Sequence, residues 1–145
     1  MPRQTPLAAL SLSVILSLAG AAPGLAGDPA AGEADYKKCR ACHKIQNGSD
    51  MIQRGGPTGP NLYGVIGRQA GIGDFRYGAD LIAAGETGLI WTEENLAAYV
   101  TDPRAFVRDF LDDSSATVKM SFKLPRGQDD IAAYLASVAP EADGS

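Results

Sequence analysis

The chain has 145 residues, of which 45% are hydrophobic and 21% are charged, a composition ordinary for one globular domain. Its formal net charge of −4 argues against a general nucleic-acid binder. Two cysteines and one histidine are the main residues that could do chemistry. The lone histidine excludes a multi-histidine metal site, and any acid–base or nucleophilic triad would have to use that one imidazole.

The first 26 residues have the pattern of a secretory signal peptide. Arg3 supplies a basic start, and an apolar run of about a dozen residues follows from Leu7. This run is shorter than the roughly 20 apolar residues that cross a bilayer. We expect cleavage after Ala26, with Ala22 as the weaker choice. The pattern therefore predicts an exported, periplasmic protein in which residues 27–145 form one domain.

Helix start signals recur along this remaining part of the chain. Capping residues, proline at the first helical position and apolar residues at helical spacing predict four helices. The first runs from Asp28-Pro29 to about Lys38, the second starts after Thr92, the third starts at Asp102-Pro103, and the fourth covers about Gln128 to Val138.

The segments between these helices are predicted as loops. Residues 47–73 are rich in Gly, Pro and Asn and show no strand alternation, and residues 78–90 are also assigned to a loop. No repeat or second domain is evident. The chain is thus predicted to be a small all-α domain with a thin core, which a large flat apolar cofactor would complete.

The two cysteines and the histidine are adjacent, in the order Cys39-x-x-Cys42-His43. This is the attachment pattern of a c-type haem. The two thiols add to the haem vinyl groups as thioethers, and the residue after the second cysteine presents its imidazole to the iron. Covalent attachment also retains the cofactor in an exported protein. The motif therefore predicts one covalently bound haem c.

Three other interpretations of the motif are weaker. A structural zinc site needs four ligands, and the motif offers three. A thioredoxin-like redox pair belongs in a βαβ context, which the chain lacks. A disulfide across so short a loop would stabilise little.

The second axial position of the iron separates electron transfer from ligand binding. Methionine there raises the reduction potential and closes the iron to small molecules. Met51 and Met120 are the candidates outside the signal peptide. Met51 lies in a polar loop close to His43, whereas Met120 lies in a distant segment that can cover the opposite haem face. Position therefore favours Met120.

Two further segments, Thr58-Gly59-Pro60-Asn61-Leu62-Tyr63-Gly64 and Lys119-Met120-Ser121-Phe122, accompany the motif. In this order they resemble class I cytochromes c, most of all the bacterial cytochrome c2 type, over residues 27–138. The resemblance implies the small cytochrome c fold, in which crossed N- and C-terminal helices pack around one covalently bound haem. Gly32 would permit the close approach of those helices.

The resemblance also implies roles for individual residues. His43 and Met120 would be the axial ligands, and Pro60 would pack on the His43 side, its neighbour's carbonyl orienting the imidazole N–H. The remaining residues of the haem environment would be Arg68, Tyr77 and Trp91 at the haem propionates and Tyr99 near the Met120 sulfur.

The chain departs from the mitochondrial pattern in its loops. Residues 44–57 and 78–90 form longer connections, and residues 112–117 are added before the ligand methionine. Val118 stands where the mitochondrial type has a hydroxyl, which removes one possible propionate donor.

The function implied is one-electron transfer and not enzymatic catalysis. By resemblance, a cytochrome bc1 complex would be the donor, and a photosynthetic reaction centre or a terminal oxidase the acceptor. A monomer would dock transiently through basic residues around the haem edge, namely Lys37, Lys38, Arg40, Lys44, Lys119, Lys123 and Arg126. The alternatives are a haem peroxidase, a gas sensor and a thiol–disulfide oxidoreductase.

Overall fold

The computed structural model describes residues 27–139. The predicted signal peptide and its cleavage sites lie outside these residues. Within them the chain forms, in order, α1 (Pro29–Asp35), β1 (Ile45–Asn47), β2 (Asp50–Gln53), α2 (Ala79–Glu86), α3 (Glu93–Thr101), α4 (Pro103–Leu111) and α5 (Gln128–Val138). None of these helices has the length and hydrophobicity needed to span a bilayer.

The starts of α1, α3 and α4 are confirmed by side-chain hydrogen bonds at their N-caps. The cap oxygens accept backbone N–H groups of the first turn, at 2.9 Å for Asp28 and Ala30, 3.0 Å for Thr92 and Asn95, and 3.1 Å for Asp102 and Ala105.

The first helix ends earlier than predicted. The α-helical part stops at Asp35, and a 3₁₀ turn, Tyr36–Lys38, continues it. The tighter turn ends where the N–H of Cys39 donates to the carbonyl of Tyr36 at 2.8 Å. The change of helix type therefore falls directly before the cysteine motif.

The predicted crossing of the first and last helices is confirmed. A Cβ on Gly32 would lie 2.0 Å from the carbonyl oxygen of Asp130 and 2.7 Å from the Cβ of Tyr134. Glycine is therefore required for α1 to approach α5 so closely. Beside this contact the rings of Tyr36 and Tyr134 pack edge to face, with centroids 5.7 Å apart.

The prediction that residues 47–73 contain no strand is wrong. Strands β1 and β2 pair antiparallel, with Asn47 opposite Asp50. The turn uses Gly48, whose φ is +56°. The strands are too short to show an alternating pattern, and Asn47-Gly48 was the local hairpin signal.

The prediction of a loop over residues 78–90 is also wrong, since this segment contains α2. A glycine inside the helix, Gly85, and the absence of a side-chain cap at Gly78 make its helical propensity weak. A Cβ on Gly85 would lie 2.0 Å from the carbonyl oxygen of Ala70. Packing against a distant part of the chain stabilises this helix in spite of its local sequence.

The hydrophobic core lies where α5 packs against both α1 and α3. Its most deeply buried side chains include Tyr36, Ile45, Leu89, Leu124, Ile131 and Leu135. Cys39 and Met120 are partly buried and pack against the same core. The cysteine side and the methionine side of the predicted haem site are therefore supported by the same core side chains.

Candidate haem-binding site

The cysteine motif forms one hydrogen-bonded turn. The backbone N–H groups of Cys42 and His43 both donate to the carbonyl of Cys39, at 3.1 and 2.9 Å. Helical bonding of this kind places residues three and four positions apart on the same side of a turn. The turn thus presents two sulfurs and an imidazole together, as covalent haem attachment requires.

The imidazole of His43 is held in one orientation. Its Nδ1 lies 2.8 Å from the carbonyl oxygen of Pro60, to which it donates in the neutral tautomer. Burial lowers the pKa of His43, against the opposite effect of this hydrogen bond. A neutral ring with its proton on Nδ1 leaves Nε2 with a free lone pair, which is the form that binds a metal.

The hydrogen bond to His43 corrects one detail of the resemblance. The acceptor was expected on a neighbour of Pro60, but the carbonyl of Pro60 itself accepts the bond. Because proline has no N–H and a fixed φ, its carbonyl is a suitable rigid acceptor here.

A glycine-rich loop lies directly on the motif. The N–H of Gly59 donates to the carbonyl of Cys42 at 2.8 Å. A Cβ on Gly59 would lie 2.4–2.8 Å from three ring atoms of His43, and one on Gly55 would lie 1.7 Å from the carbonyl oxygen of His43. Sequence reasoning assigned no role to these glycines. Their repetition just before Pro60 was the available signal.

The motif borders a cavity of about 330 Å³. All nine residues predicted for the site line it: Cys39, Cys42, His43, Pro60, Arg68, Tyr77, Trp91, Tyr99 and Met120. Much of the remaining wall is apolar and is formed by residues such as Leu62, Val65, Phe75, Leu81, Leu96 and Leu124. Phe75 was missed by sequence reasoning, and its ring packs edge to face on that of Tyr77.

Only one of the two candidate methionines lines this cavity. Met120 comes from the irregular segment between α4 and α5 and packs against the core. Met51 lies on β2 with 36% of its surface exposed and is not part of the cavity wall. The placement agrees with the sequence-based preference for Met120.

Polar groups of the cavity wall suit a bound carboxylate. Arg68 and Tyr77 converge near Gly73, where an added Cβ would lie 3.3 Å from the Tyr77 hydroxyl and 3.9 Å from Nη1 of Arg68. Trp91 and Tyr99 are buried, and their rings pack edge to face at 4.9 Å. Burial raises the pKa of Tyr99 to about 12, so its hydroxyl stays protonated.

Three of these groups keep their donors free of protein partners. Among residues 27–139 the Tyr77 hydroxyl, the Tyr99 hydroxyl and the Trp91 indole N–H make no hydrogen bond to other side chains or to the backbone. Because a propionate carboxylate needs such donors when it leaves water, this donor set fits a haem.

The thiols and acidic residues do not favour the other interpretations of the motif. Burial raises the pKa of the Cys39 thiol to about 11, which is the opposite of the lowered pKa of a reactive redox cysteine. In the described part of the chain, no group of His, Cys, Asp and Glu side chains has the arrangement of a bare metal-ion site, and the motif itself lacks the fourth ligand of a structural zinc site. The site therefore fits covalent haem better than zinc or thiol exchange.

The basic residues predicted for docking differ in their surroundings. Lys38 and Lys119 line the cavity. Lys38 forms a salt bridge with Asp35 at 2.6 Å, and Lys123 forms one with Asp102 at 2.5 Å. Lys38 and Lys123 therefore contribute less free positive charge to the docking set than its other members do.

Comparison with known proteins agrees with this geometry. The chain is 58% identical over 132 residues to cytochrome c-551 of Roseobacter denitrificans, covering 89% of this chain and 95% of the relative. It matches the structure of cytochrome c2 from Rhodobacter capsulatus with a TM-score of 0.75 and 50% identity, over 77% of this chain and 98% of that one. For cytochrome c2 from Paracoccus denitrificans the TM-score is 0.77 at 44% identity, over 80% and 99% of the chains. No protein-family model matches the chain.

The helical fold and the cavity bordered by Cys39, Cys42 and His43 define a c-type cytochrome, a class of electron carriers. By identity over nearly their full length with these relatives, the chain belongs to the bacterial cytochrome c2 family of class I cytochromes c. The predicted cytochrome c fold is confirmed, as is the prediction of one covalently bound haem c.

Proposed function

We propose that the chain is a periplasmic one-electron carrier whose haem iron is ligated by His43 and Met120. The observation that carries this proposal is the convergence of both side chains, with both cysteines, on one cavity. When bound, haem supplies a couple between ferrous and ferric iron. Export through the predicted signal peptide would yield a mature protein that begins at Gly27, which mass spectrometry of the exported protein can test.

The protein surroundings favour the reduced state of the site. As a soft ligand, the Met120 thioether would stabilise ferrous iron. The apolar wall disfavours the extra positive charge of the ferric state. The hydrogen bond from His43 to Pro60 acts in the opposite sense because it makes the imidazole a stronger donor. We expect the first two effects to dominate and the reduction potential to be clearly positive.

The other wall residues have supporting roles in this proposal. Arg68, Tyr77 and Trp91 would satisfy the haem propionates, and Tyr99 would approach the Met120 sulfur. The convergence of Arg68 and Tyr77 near Gly73 and the free donors of Tyr77 and Trp91 support these roles.

The basic residues would form the docking face for acidic redox partners. The donor would be a cytochrome bc1 complex, and the acceptor would be a photosynthetic reaction centre or a terminal oxidase. The surroundings of Asp35 support a single face for these basic residues. A hydrogen bond from Lys38 and the nearby charges of Lys37 and Arg126 lower the pKa of Asp35. Lys37 and Lys38, which precede the cysteine motif, and Arg126, which follows the methionine segment, therefore all act on Asp35, which supports placing them on one docking face.

Replacing the proposed ligand tests the axial assignment. In Met120→Ala we expect the reduction potential to fall by on the order of 0.1 V, a fraction of the ~0.8 V over which axial ligands set haem potentials. The reduced variant should also bind carbon monoxide, whereas the unmodified protein should not. Spectroelectrochemistry and visible spectra with and without the gas measure both effects.

The matched control for this experiment is Met51→Ala, which removes an exposed methionine outside the cavity wall. It should leave the potential and the gas response unchanged. Gas binding by the unmodified reduced protein would indicate a sensor or a peroxidase-like site. An unchanged potential in Met120→Ala would refute the assignment of Met120.

Charge reversal on the docking face tests the partner assignment. Arg126→Glu should slow reduction by a purified cytochrome bc1 complex several-fold at low ionic strength, and added salt should reduce the difference. Arg104→Glu makes the same charge change on the exposed side of α4 and serves as the control. If the rate for the unmodified protein does not fall as ionic strength rises, the assigned face is wrong.

A further inference from the structure

The segment that carries Met120 has little backbone support of its own. It connects α4 with α5 and contains no regular element. Among the described residues, no backbone N–H or carbonyl group of residues 118–123 takes part in a hydrogen bond. The position of the Met120 sulfur therefore depends on side-chain packing against the core and on hydrogen bonds made by side chains and by the residues on either side of this stretch.

Two side chains hold the upstream side: Nε of Arg108 donates to the carbonyl of the buried Ala116 at 3.0 Å, and one carboxylate binds the next residue. Oδ2 of Asp80 accepts the backbone N–H of Thr117 at 2.7 Å and its Oγ1 hydroxyl at 2.9 Å. Both bonds end on the same charged oxygen, and hydrogen bonds to charged acceptors are stronger than neutral ones. Asp80 thus joins the methionine segment to a helix that lies 37 residues earlier in the chain.

Asp80 is itself on a well-supported element. It lies in the first turn of α2, where the helix dipole favours a negative charge. Gly85 of the same helix packs against the carbonyl of Ala70, and α2 also packs against α4. The carboxylate therefore lies on a packed helix, to which a segment without regular secondary structure is attached.

A second contact joins the methionine segment to the loop that precedes α2. Nζ of Lys119 donates to the carbonyl of Arg76 at 2.6 Å. On the downstream side, the N–H of Leu124 donates to the carbonyl of Val100 at 2.8 Å. The downstream end thus has a backbone bond to α3, whereas the upstream end depends on side chains.

We propose that Asp80 is a positioning residue for Met120, fastening the ligand segment to α2 through its two hydrogen bonds with Thr117. This inference rests on the proposed function, in which Met120 ligates the iron. With the tether in place, Met120 remains at the cavity wall. Without it, the segment opens more often, and an external ligand gains access to the ferric iron.

The experiment measures opening directly, by the binding of imidazole to the ferric holoprotein. At saturating imidazole the rate is limited by segment opening, and it is followed through the absorption of sulfur-ligated ferric iron. Asp80→Ala should raise this limiting rate about tenfold, equivalent to ~1.4 kcal/mol. Thr117→Val loses only the hydroxyl bond and should raise it about threefold.

Asp113→Ala is the matched control. Asp113 also accepts two hydrogen bonds through one oxygen, from the N–H and the hydroxyl of Ser115 at 2.8 and 2.7 Å. These bonds are local to the same segment and do not attach it to α2. The variant removes the same charge and should change the limiting rate by less than about twofold.

The outcomes separate this inference from the function on which it rests. If Asp80→Ala opens no faster than Asp113→Ala, Asp80 has no positioning role even though Met120 is the ligand. If the unmodified ferric protein shows no sulfur ligation, both proposals are overturned. Thr117→Val keeps the test decisive should Asp80→Ala fold poorly. In the double variant Asp80→Ala/Thr117→Val, the rate should equal that of Asp80→Ala alone.

Discussion

His43 and Met120 line the same cavity, but the chain holds them in different ways. Around His43 the contacts are mainly backbone ones. The carbonyl of Pro60 binds the imidazole, and the backbone of Gly59 packs on the ring and donates to Cys42. Around Met120, by contrast, much of the support comes from side-chain contacts between its segment and distant residues, made by Asp80, Lys119 and Lys123.

This difference has physical consequences. Where a Cβ added to a glycine would lie closer to its neighbours than van der Waals contact allows, the glycine cannot be replaced without moving those neighbours. A side-chain tether near solvent adds a modest free energy and can be removed without a steric clash. The histidine side should therefore respond to mutation through global stability, and the methionine side through local opening.

The largest effect is expected on the histidine side, for Gly59→Ala. The new Cβ would overlap the imidazole of His43, so the loop and ring must separate. We expect the free energy of unfolding to fall by about 3 kcal/mol, at the upper end of overpacking costs. Urea unfolding followed by circular dichroism measures it.

Gly78→Ala is the control for this substitution. Its φ of −75° suits alanine, and the added Cβ would make an ordinary 3.7 Å contact with Lys119. Its cost should stay below about 1 kcal/mol. Equal destabilisation by the two variants would show that the histidine side is no more tightly packed than the methionine side.

A smaller effect is expected for Asn61→Ala. The side-chain oxygen of Asn61 accepts the N–H groups of Gln46 and Tyr63 at 3.0 and 3.1 Å, and its Nδ2 donates to the carbonyl of Gln46 at 2.8 Å. These bonds attach β1 to the loop that carries Pro60. Their loss should lower the free energy of unfolding by about 2 kcal/mol.

Asn95→Ala calibrates that measurement, because within residues 27–139 the Asn95 side chain makes a single hydrogen bond, to the carbonyl of Ile90 at 2.8 Å. It should cost about 1 kcal/mol. If Asn61→Ala costs no more than Asn95→Ala, the attachment of the hairpin contributes little to the histidine side.

Much of the site was accessible from sequence, because its information is local. The two cysteines and His43 carry their chemistry in their spacing, and the caps at Thr92 and Asp102 are read from adjacent residues. The last helix was predicted with its observed bounds, since its apolar residues recur at helical spacing.

What the sequence did not reveal depends on contacts between distant residues. Gly85 allows α2 to pack against Ala70, and neither residue indicates the other in sequence. The bond of Asp80 to Thr117 is equally non-local. Residue types show which chemistry is available, but only the fold shows which groups lie within hydrogen-bonding distance.

The smallest expected effect concerns pH and lies on the methionine side. A hydrogen bond from Lys123, assisted by the N–H of Ala105, lowers the pKa of Asp102 below its ordinary value of 3.8. A carboxyl with a lower pKa in the folded state stabilises the protein above the unfolded pKa, and this stabilisation is lost as pH falls through the folded value. Thermal midpoints measured between about pH 3 and about pH 6 should therefore fall less steeply with acid in Asp102→Asn than in the unmodified protein.

Asp109→Asn is the control for this measurement. Asp109 is an exposed aspartate on α4 without a salt bridge among residues 27–139, so this variant should follow the unmodified protein. A slope unchanged in Asp102→Asn would mean that the Lys123 contact does not hold the methionine segment in solution.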